Sequence, residues 1–253
     1  MRYARLLVGA VARYGVLEGD EWMLLDGAPW AGGRPTPDRL ATRGAVLLVP
    51  SGASKVVAVG QNYRKHCEEM GKPVPDEPLL FLKPSTALNA VGRPILLPPE
   101  SREVHYEAEL GLVIGKRLRR ASEADAAAGI FGLTCMNDVT ARDIQRREVQ
   151  HTRAKSFDTF ACAGPWVETE LSPADLRIRC RVNGATRQDS RTLDMIFPPA
   201  RLVAFISSAM TLLPGDLVTT GTPSGVGPLA AGDLVEVDIE GIGVLSNPVQ
   251  SAS

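Results

Sequence analysis

The residues of this chain best suited to chemistry sit in a few short stretches, of which HYEAELGLVIGK (105–116) is the most telling. Glu107 and Glu109 stand two apart in an otherwise apolar run. In a strand, residues i and i+2 share a face. The two carboxylates therefore point the same way, about 6–7 Å apart at the Cα level. Leu110, Leu112 and Ile114 fall on the opposite face, which reads as buried. Two anions this close repel, and burying either without a partner is costly. Solvent, basic partners or a divalent cation would each relieve the repulsion. For a lone Glu-x-Glu, a solvated strand face is the usual reading.

NDVTARDIQ (137–145) places Asp138 where a strand ends and a helix begins. It is either a helix cap or the third acid of an oxygen-only triad. Such a triad, with positions left for water and substrate, suits magnesium or manganese. In QNYRKHCEEMG (61–71), His66 and Glu69 are three apart on a helix and can touch. A carboxylate on one ring nitrogen orients an imidazole as a general base for water, although most such pairs on helices are solvated surface. Cys67 adjoins His66, but neighbouring helical residues do not face one another, which excludes a Cys–His nucleophile pair. Lys155, in RAKSFDTF, is either a surface lysine or a cation for an oxyanion or a proton. TGTPSGVG (220–227) lacks the GK[ST] ending of a phosphate loop. It is either a bare turn or a turn presenting the Thr222 hydroxyl and backbone N–H groups to a carboxylate.

The elements that must position these residues read as strand-rich. Residues 1–50 form a small β meander, with ARYGVLEGDEWMLLDG alternating between Gly/Asp turns. RPTPDRLATRG then interrupts the pattern, and PSGAS (50–54) reads as a junction to a second unit over 54–250. There KVVAVG, LLFLKP, HYEAELGLVIG and GLTCMNDVT read as strands, as do LVTTG, LVEVDIEG and GVLSNPV near the end. ASEADAAAGI reads as a helix with Ser122 as N-cap, and ARDIQRREVQ as another. LRIRCRVNGATRQDS is a hairpin turning on Asn183-Gly184. PARLVAFISSAMTL is an amphipathic helix, apolar at Leu202, Phe205, Ile206 and Ala209. Strands outnumber helices and do not alternate with them, so the fold class is α+β with mixed or largely antiparallel sheets.

Composition narrows the function further. In 253 residues, 28 basic side chains balance 29 acidic ones, which leaves no field favouring nucleic acid or an anionic membrane. The apolar runs are far too short to span a bilayer. The four cysteines form no CxxC pair and read as reduced core thiols of a cytoplasmic protein. With three histidines in the chain, a His/Cys zinc site is disfavoured, so any metal must be held by oxygen. The N-terminus carries no trusted cleavage pattern and reads as mature protein.

Taken in order, VVAVGQNYRKHCEEMG, LFLKPSTAL, HYEAELGLVIGK, NDVTARDIQ, AKSFDTFACAGPW, VNGATRQDSRTLDMIF and PGDLVTTGTPSGVG resemble the fumarylacetoacetate hydrolase family over residues 54–248. The resemblance implies a mixed β-roll core behind a small β-rich N-terminal domain, assembled as a homodimer. It implies a magnesium- or manganese-dependent enzyme acting on small 2-oxo and diketo acids. By the family pattern Glu107, Glu109 and Asp138 are metal ligands. His66 and Glu69 match its water-activating pair, on a helix that in relatives closes over the site. Lys155 matches its lysine, with Arg142 and Gln145 around the developing negative charge, and Thr222 matches a residue contacting the substrate carboxylate. The segment between the Asp138 helix and the lysine is short here, EVQHTR, which makes that wall of the pocket compact. His105 shares a face with Glu107 and is placed behind the ligands rather than among them.

The reaction expected first is hydrolysis of the C3–C4 bond of an acylpyruvate, giving pyruvate and a carboxylic acid. His66, oriented by Glu69, would take the proton of the attacking water, and Lys155, Arg142 and Gln145 would stabilise oxyanions. The same enolate serves two alternatives: isomerisation of a substrate such as 2-hydroxyhepta-2,4-diene-1,7-dioate, and decarboxylation of an oxaloacetate-type acid. A non-catalytic binder of 2-oxo acids is the alternative of another class, and the His66–Glu69 pair with Lys155 argues against it.

Overall fold

The computed structural model describes residues 1–252. Its helices are short: α1 (Arg64–Glu69), α2 (Glu123–Gly129), α3 (Arg142–Arg147), α4 (Thr152–Lys155) and α5 (Pro199–Ala209). Strands form a twelve-stranded, a five-stranded and a three-stranded sheet. Most pairings are antiparallel, but Leu217–Thr219 runs parallel to Val56–Gly60, so the large sheet is mixed and the fold is α+β.

The spine of the large sheet is Ala161–Glu168, Ile130–Asp138, Ala108–Ile114, Leu217–Thr219, Val56–Gly60 and, at the edge, Leu79–Lys83. The N-terminal meander is continuous with it, because Arg2 and Tyr3 pair with Glu168 and Val167. Both faces of Ala108–Ile114 are buried. Leu110, Leu112 and Ile114 pack with Leu133, Ile178, Cys180, Val235 and Val237, which places the main core between the large and five-stranded sheets. Val113 packs with Met136, Val167 and Leu217 on the other face, partly covered by Tyr3 and Trp30. Glu107 and Glu109 thus lie at one end of a face whose other end is apolar and closed, which rules out a solvated strand face.

Several local readings change. Residues 105–114 are two strands, Val104–Tyr106 and Ala108–Ile114. The Glu107 N–H goes to the Asn137 side chain at 2.9 Å, and the Ala108 N–H to the Gln188 side chain at 2.9 Å. Side-chain amides replace the sheet ladder there and bend the chain. The stretch expected to interrupt the meander forms the strand Pro35–Ala41, at the sheet edge, where prolines lacking an N–H are tolerated. The helix expected over ARDIQRREVQ stops at Arg147, and a separate turn carries Lys155. On α5 the buried stripe is Pro199, Leu202, Val203, Ile206 and Ser207; Phe205 is half-buried and Ala209 exposed. Ser207 is inside because its hydroxyl accepts the Ala121 N–H at 2.9 Å. The Ser122 cap holds, with its Oγ accepting the Asp125 N–H at 3.1 Å, and Asn183 and Gly184 take the left-handed conformations of the hairpin turn (φ 52° and 79°). All four cysteines are free and buried. Among the described residues, no helix is long and apolar enough to cross a membrane.

Candidate active site

The acids are brought together by strand register. Ala108–Ile114 and Ile130–Asp138 are antiparallel neighbours with Ala108 opposite Asn137, and the Asp138 N–H donates to the Glu107 carbonyl at 2.9 Å. Asp138, the last residue of its strand, therefore lies beside Glu107. α3 is preceded by Ala141, so Asp138 does not cap it. One carboxylate oxygen from each of Glu107, Glu109 and Asp138 lies within 4.8 Å of the others. All three residues are at most 3% exposed.

Three cations answer this buried charge. The Lys155 Nζ bridges Glu107 Oε2 at 2.5 Å and Asp138 Oδ2 at 2.7 Å. Arg142 pairs with the other Glu107 oxygen, and Lys83 with the other Asp138 oxygen. Burial alone would raise the Glu107 carboxyl, but Lys155 and then Arg142 hold it below the usual carboxylate range. Burial presses Lys83 below the ordinary lysine range despite Asp138. Burial also works against the charge on Lys155, and Asp138 and Glu107 more than offset it. Glu109 accepts the Gly221 N–H at 2.8 Å. Burial, with Asp138 and Glu107 nearby, pushes its carboxyl up to about 8. Gly221 has φ 88°, and a Cβ there would meet the Asn62 Cβ at 2.7 Å, so glycine alone brings this N–H to Glu109.

This donor set fits a hard divalent cation. It offers carboxylate oxygens only, from a buried and prepositioned cluster, and Glu109 has no cation against it among the described salt bridges.

His66 faces the same cavity from α1. Its Nδ1 is 3.1 Å from Glu69 Oε2, and Glu69 Oε1 accepts the Gly225 N–H at 2.9 Å. His66 is 6% exposed, so the imidazole is not solvated surface, while Glu69 holds it from the exposed side. The buried Asn62 at the base of α1 donates to the Phe197 and Thr220 carbonyls and accepts the Phe197 N–H. The cavity, about 350 Å³, is lined by His66, Glu107, Glu109, Arg142, Gln145, Lys155 and Thr222 together with Phe81 and His151. All the sequence-derived residues except Glu69 and Asp138 line it, and those two each contact a lining residue, His66 and Lys155 respectively.

Two of these residues are more engaged than the sequence suggested. The Thr222 hydroxyl donates to the Ala108 carbonyl at 2.9 Å and accepts from Gln188 at 2.8 Å, so its proton is committed to the scaffold. Arg142 spends its guanidinium on Glu107, Gln145 and His105. His105 passes the contact on to Glu103 at 2.9 Å, which forks onto Arg146 at 2.6 and 3.0 Å. Lys83, Asn62 and Gln188 were missed. For Lys83 a signal existed: alternation puts it on the same face as Leu79 and Phe81, which line the cavity. A lysine ending the inward face of an apolar strand needs a buried anion.

Comparison with known proteins agrees with this geometry. Residues 55–250 match the family profile described as fumarylacetoacetate (FAA) hydrolase C-terminal, and residues 1–50 match Rv2993c-like, N-terminal. A solved structure of 5-carboxymethyl-2-hydroxymuconate delta-isomerase from Mycobacterium smegmatis superposes with a TM-score of 0.94 at 42% identity, covering 100% of both chains. The mitochondrial oxaloacetate tautomerase FAHD2A of Bos taurus is 45% identical over 207 residues, 77% of this chain and 66% of that protein. The fumarylpyruvate hydrolase of Pseudomonas aeruginosa, solved in complex with Mn2+ and pyruvate, has a TM-score of 0.76 at 33% identity over 80% of this chain and 91% of that one. With most of its length matched and the acid cluster assembled, the chain belongs to the fumarylacetoacetate hydrolase family.

Proposed function

We propose that this protein is a divalent-metal-dependent enzyme that moves a proton at carbon 3 of a small 2-oxo acid, interconverting keto and enol or isomeric forms. One observation carries the reading: a single cavity holds an acid cluster with Lys155 and an imidazole fixed by Glu69. A base together with a group that stabilises an enolate is the minimum machinery for a proton shift next to a carbonyl. The full-length isomerase and the tautomerase among the relatives support it.

Glu107, Glu109 and Asp138 are the residues that would hold the cation, magnesium or manganese, which when bound supplies Lewis-acid polarisation of the 2-oxo group. The chain's own residues do the rest. Glu69 ties up His66 Nδ1, which leaves Nε2 as the atom that takes the C3 proton and returns it. Lys155 brings positive charge to the oxygen where negative charge develops. Arg142 holds Glu107 in place, and Gln145, half-buried on the cavity wall, offers its amide to the substrate. Thr222 contributes through its place in the wall, since its hydroxyl proton is used on Ala108. The proposal includes a homodimer in the cytoplasm, the state that the family resemblance implies.

C–C bond hydrolysis is the second reading, favoured by the buried His66 with Glu69 on its Nδ1. There His66 takes a proton from water, the oxygen adds to the distal carbonyl of an acylpyruvate, and the C3–C4 bond breaks with C3 taking the electron pair and then a proton. The test is direct. Enol-oxaloacetate is followed in the ultraviolet with enzyme plus Mn2+ or with EDTA, and acetylpyruvate is followed by pyruvate release. Metal-dependent loss of the enol signal beyond the buffer rate supports the proton shift. Pyruvate from acetylpyruvate with no enol effect moves the function to hydrolysis. Neither signal, in protein shown to bind Mn2+, overturns both.

A further inference from the structure

The short EVQHTR segment puts a second imidazole into the cavity. His151 immediately precedes α4, and the Lys155 N–H donates to its carbonyl at 3.1 Å. The two side chains therefore sit one turn apart, and both line the cavity. Phe81 fixes both. The His151 ring stands edge-on to it at 5.7 Å and 87°, and the Lys155 Nζ lies 5.1 Å from its centre. The His151 Nδ1 is buried without a hydrogen-bond partner. A proton there would be a buried donor with no acceptor, which costs the full desolvation of that group. The proton therefore belongs on Nε2, the nitrogen through which this ring can reach a ligand. Burial, and Lys155 nearby, press the imidazole toward its neutral form. The same cavity has the exposed Lys72 at its rim, and apolar wall from Met70, Leu79 and Phe81. Away from the acid cluster, the lining thus combines an apolar wall with an imidazole N–H donor and two cations, Lys72 and Arg146, while its one further carboxylate, Glu148, is paired with Arg153.

We propose that His151 is a specificity-determining residue whose Nε2–H donates to the far carboxylate of a 2-oxo dicarboxylate, with Lys72 adding charge at the rim. This rests on the proton-shift reading for the near end of the substrate. It adds the class: four-carbon or slightly longer acids carrying a second carboxylate, preferred over monocarboxylic 2-oxo acids.

Two variants test it. His151→Phe keeps the ring against Phe81 and removes the donor; His151→Gln restores a donor. Binding is measured by calorimetry in Mn2+ with 3,3-difluoro-oxaloacetate, which has no C3 hydrogen to lose, and with pyruvate. His151→Phe should weaken the dicarboxylate about tenfold or more, as expected for a lost hydrogen bond to a charged group. It should leave pyruvate within about twofold, and His151→Gln should recover part of the loss. In turnover, KM for oxaloacetate should rise while kcat stays within about threefold. Equal weakening of both ligands, or none, overturns the assignment even if oxaloacetate is turned over. Discrimination in binding without any turnover keeps the assignment and sinks the proton-shift reading instead. A melting temperature of His151→Phe near that of the parent shows that the effect is not misfolding.

Discussion

Replacing Lys83 by methionine should cost metal-free protein about 6–12 °C of melting temperature. Lys83 is fully buried, and its Nζ touches Asp138 Oδ1 and the Val139 carbonyl. Breaking a buried ion pair from one side costs about 3–5 kcal/mol. The low end, about 3 kcal/mol, applies because Asp138 keeps Lys155 on its other oxygen at 2.7 Å and methionine refills most of the lysine stem. For a protein near this size, each kcal/mol moves the melting point by about 2–4 °C, which gives the range. The same substitution unbalances the site. Lys83, Lys155 and Arg142 stand against Glu107 and Asp138, with none paired to Glu109, so the variant has one cation fewer to set against the carboxylates. Added Mn2+ should then raise the melting temperature more in Lys83→Met than in the parent. Calorimetric scans after EDTA treatment, repeated with the metal, measure both effects. A fall of less than about 2 °C, or an equal metal-induced gain in the two proteins, would refute the charge argument.

Other outcomes follow from the same contacts. Glu107→Ala removes a carboxylate of the cluster and the partner of both Lys155 and Arg142; turnover should fall by at least about 10²-fold and Mn2+ titration should show weaker binding. Full activity at saturating metal would remove Glu107 from the site. Asn62→Ala loses three hydrogen bonds of a buried side chain, the one to the Thr220 carbonyl, at 2.7 Å, being fully buried, and should cost about 2–4 kcal/mol in urea unfolding; a loss under about 1 kcal/mol counts against its anchoring role. Burial would raise the Asp143 carboxyl, but Ser101 Oγ at 2.6 Å, with the Arg102 and Ile144 N–H groups, holds it below its ordinary value. Its share of stability is therefore full above the unfolded value of about 3.9 and fades as pH falls through the folded value. The gap in melting temperature between parent and Asp143→Asn should close in acid, and a gap independent of pH contradicts this.

The chemistry was more legible in the sequence than the details of the chain that carries it. Spacing of two put Glu107 and Glu109 on one face, and spacing of three let His66 reach Glu69, because both periods are local. That the acids meet Asp138 depends on which strand lies alongside, and only the ordered family motifs indicated it. The break at Glu107 was hidden because it depends on Asn137 and Gln188, amides that arrive from other strands. Lys83 was overlooked for a similar reason: its anion is 55 residues away. The α5 stripe was misjudged at Phe205 and Ala209 because Ser207 is drawn inside by a hydrogen bond that hydropathy does not register. Arg142 and Gln145 were named for their charge and amide, yet what Arg142 does in place is hold Glu107.

Helix α1 has six residues, too few to persist on its own in water. It is moored at its base by Asn62 and at its tip by the Glu69 carboxylate on the Gly225 N–H. Gly225 has φ 97°, and a Cβ there would strike the Arg187 carbonyl at 2.2 Å, so the mooring point tolerates no other residue. Glu69 holds that mooring with one oxygen and the His66 ring with the other. One carboxylate thus ties the seating of the helix tip to the orientation of the imidazole: with the tip released, the hold on His66 would rest on the intrahelical pair alone.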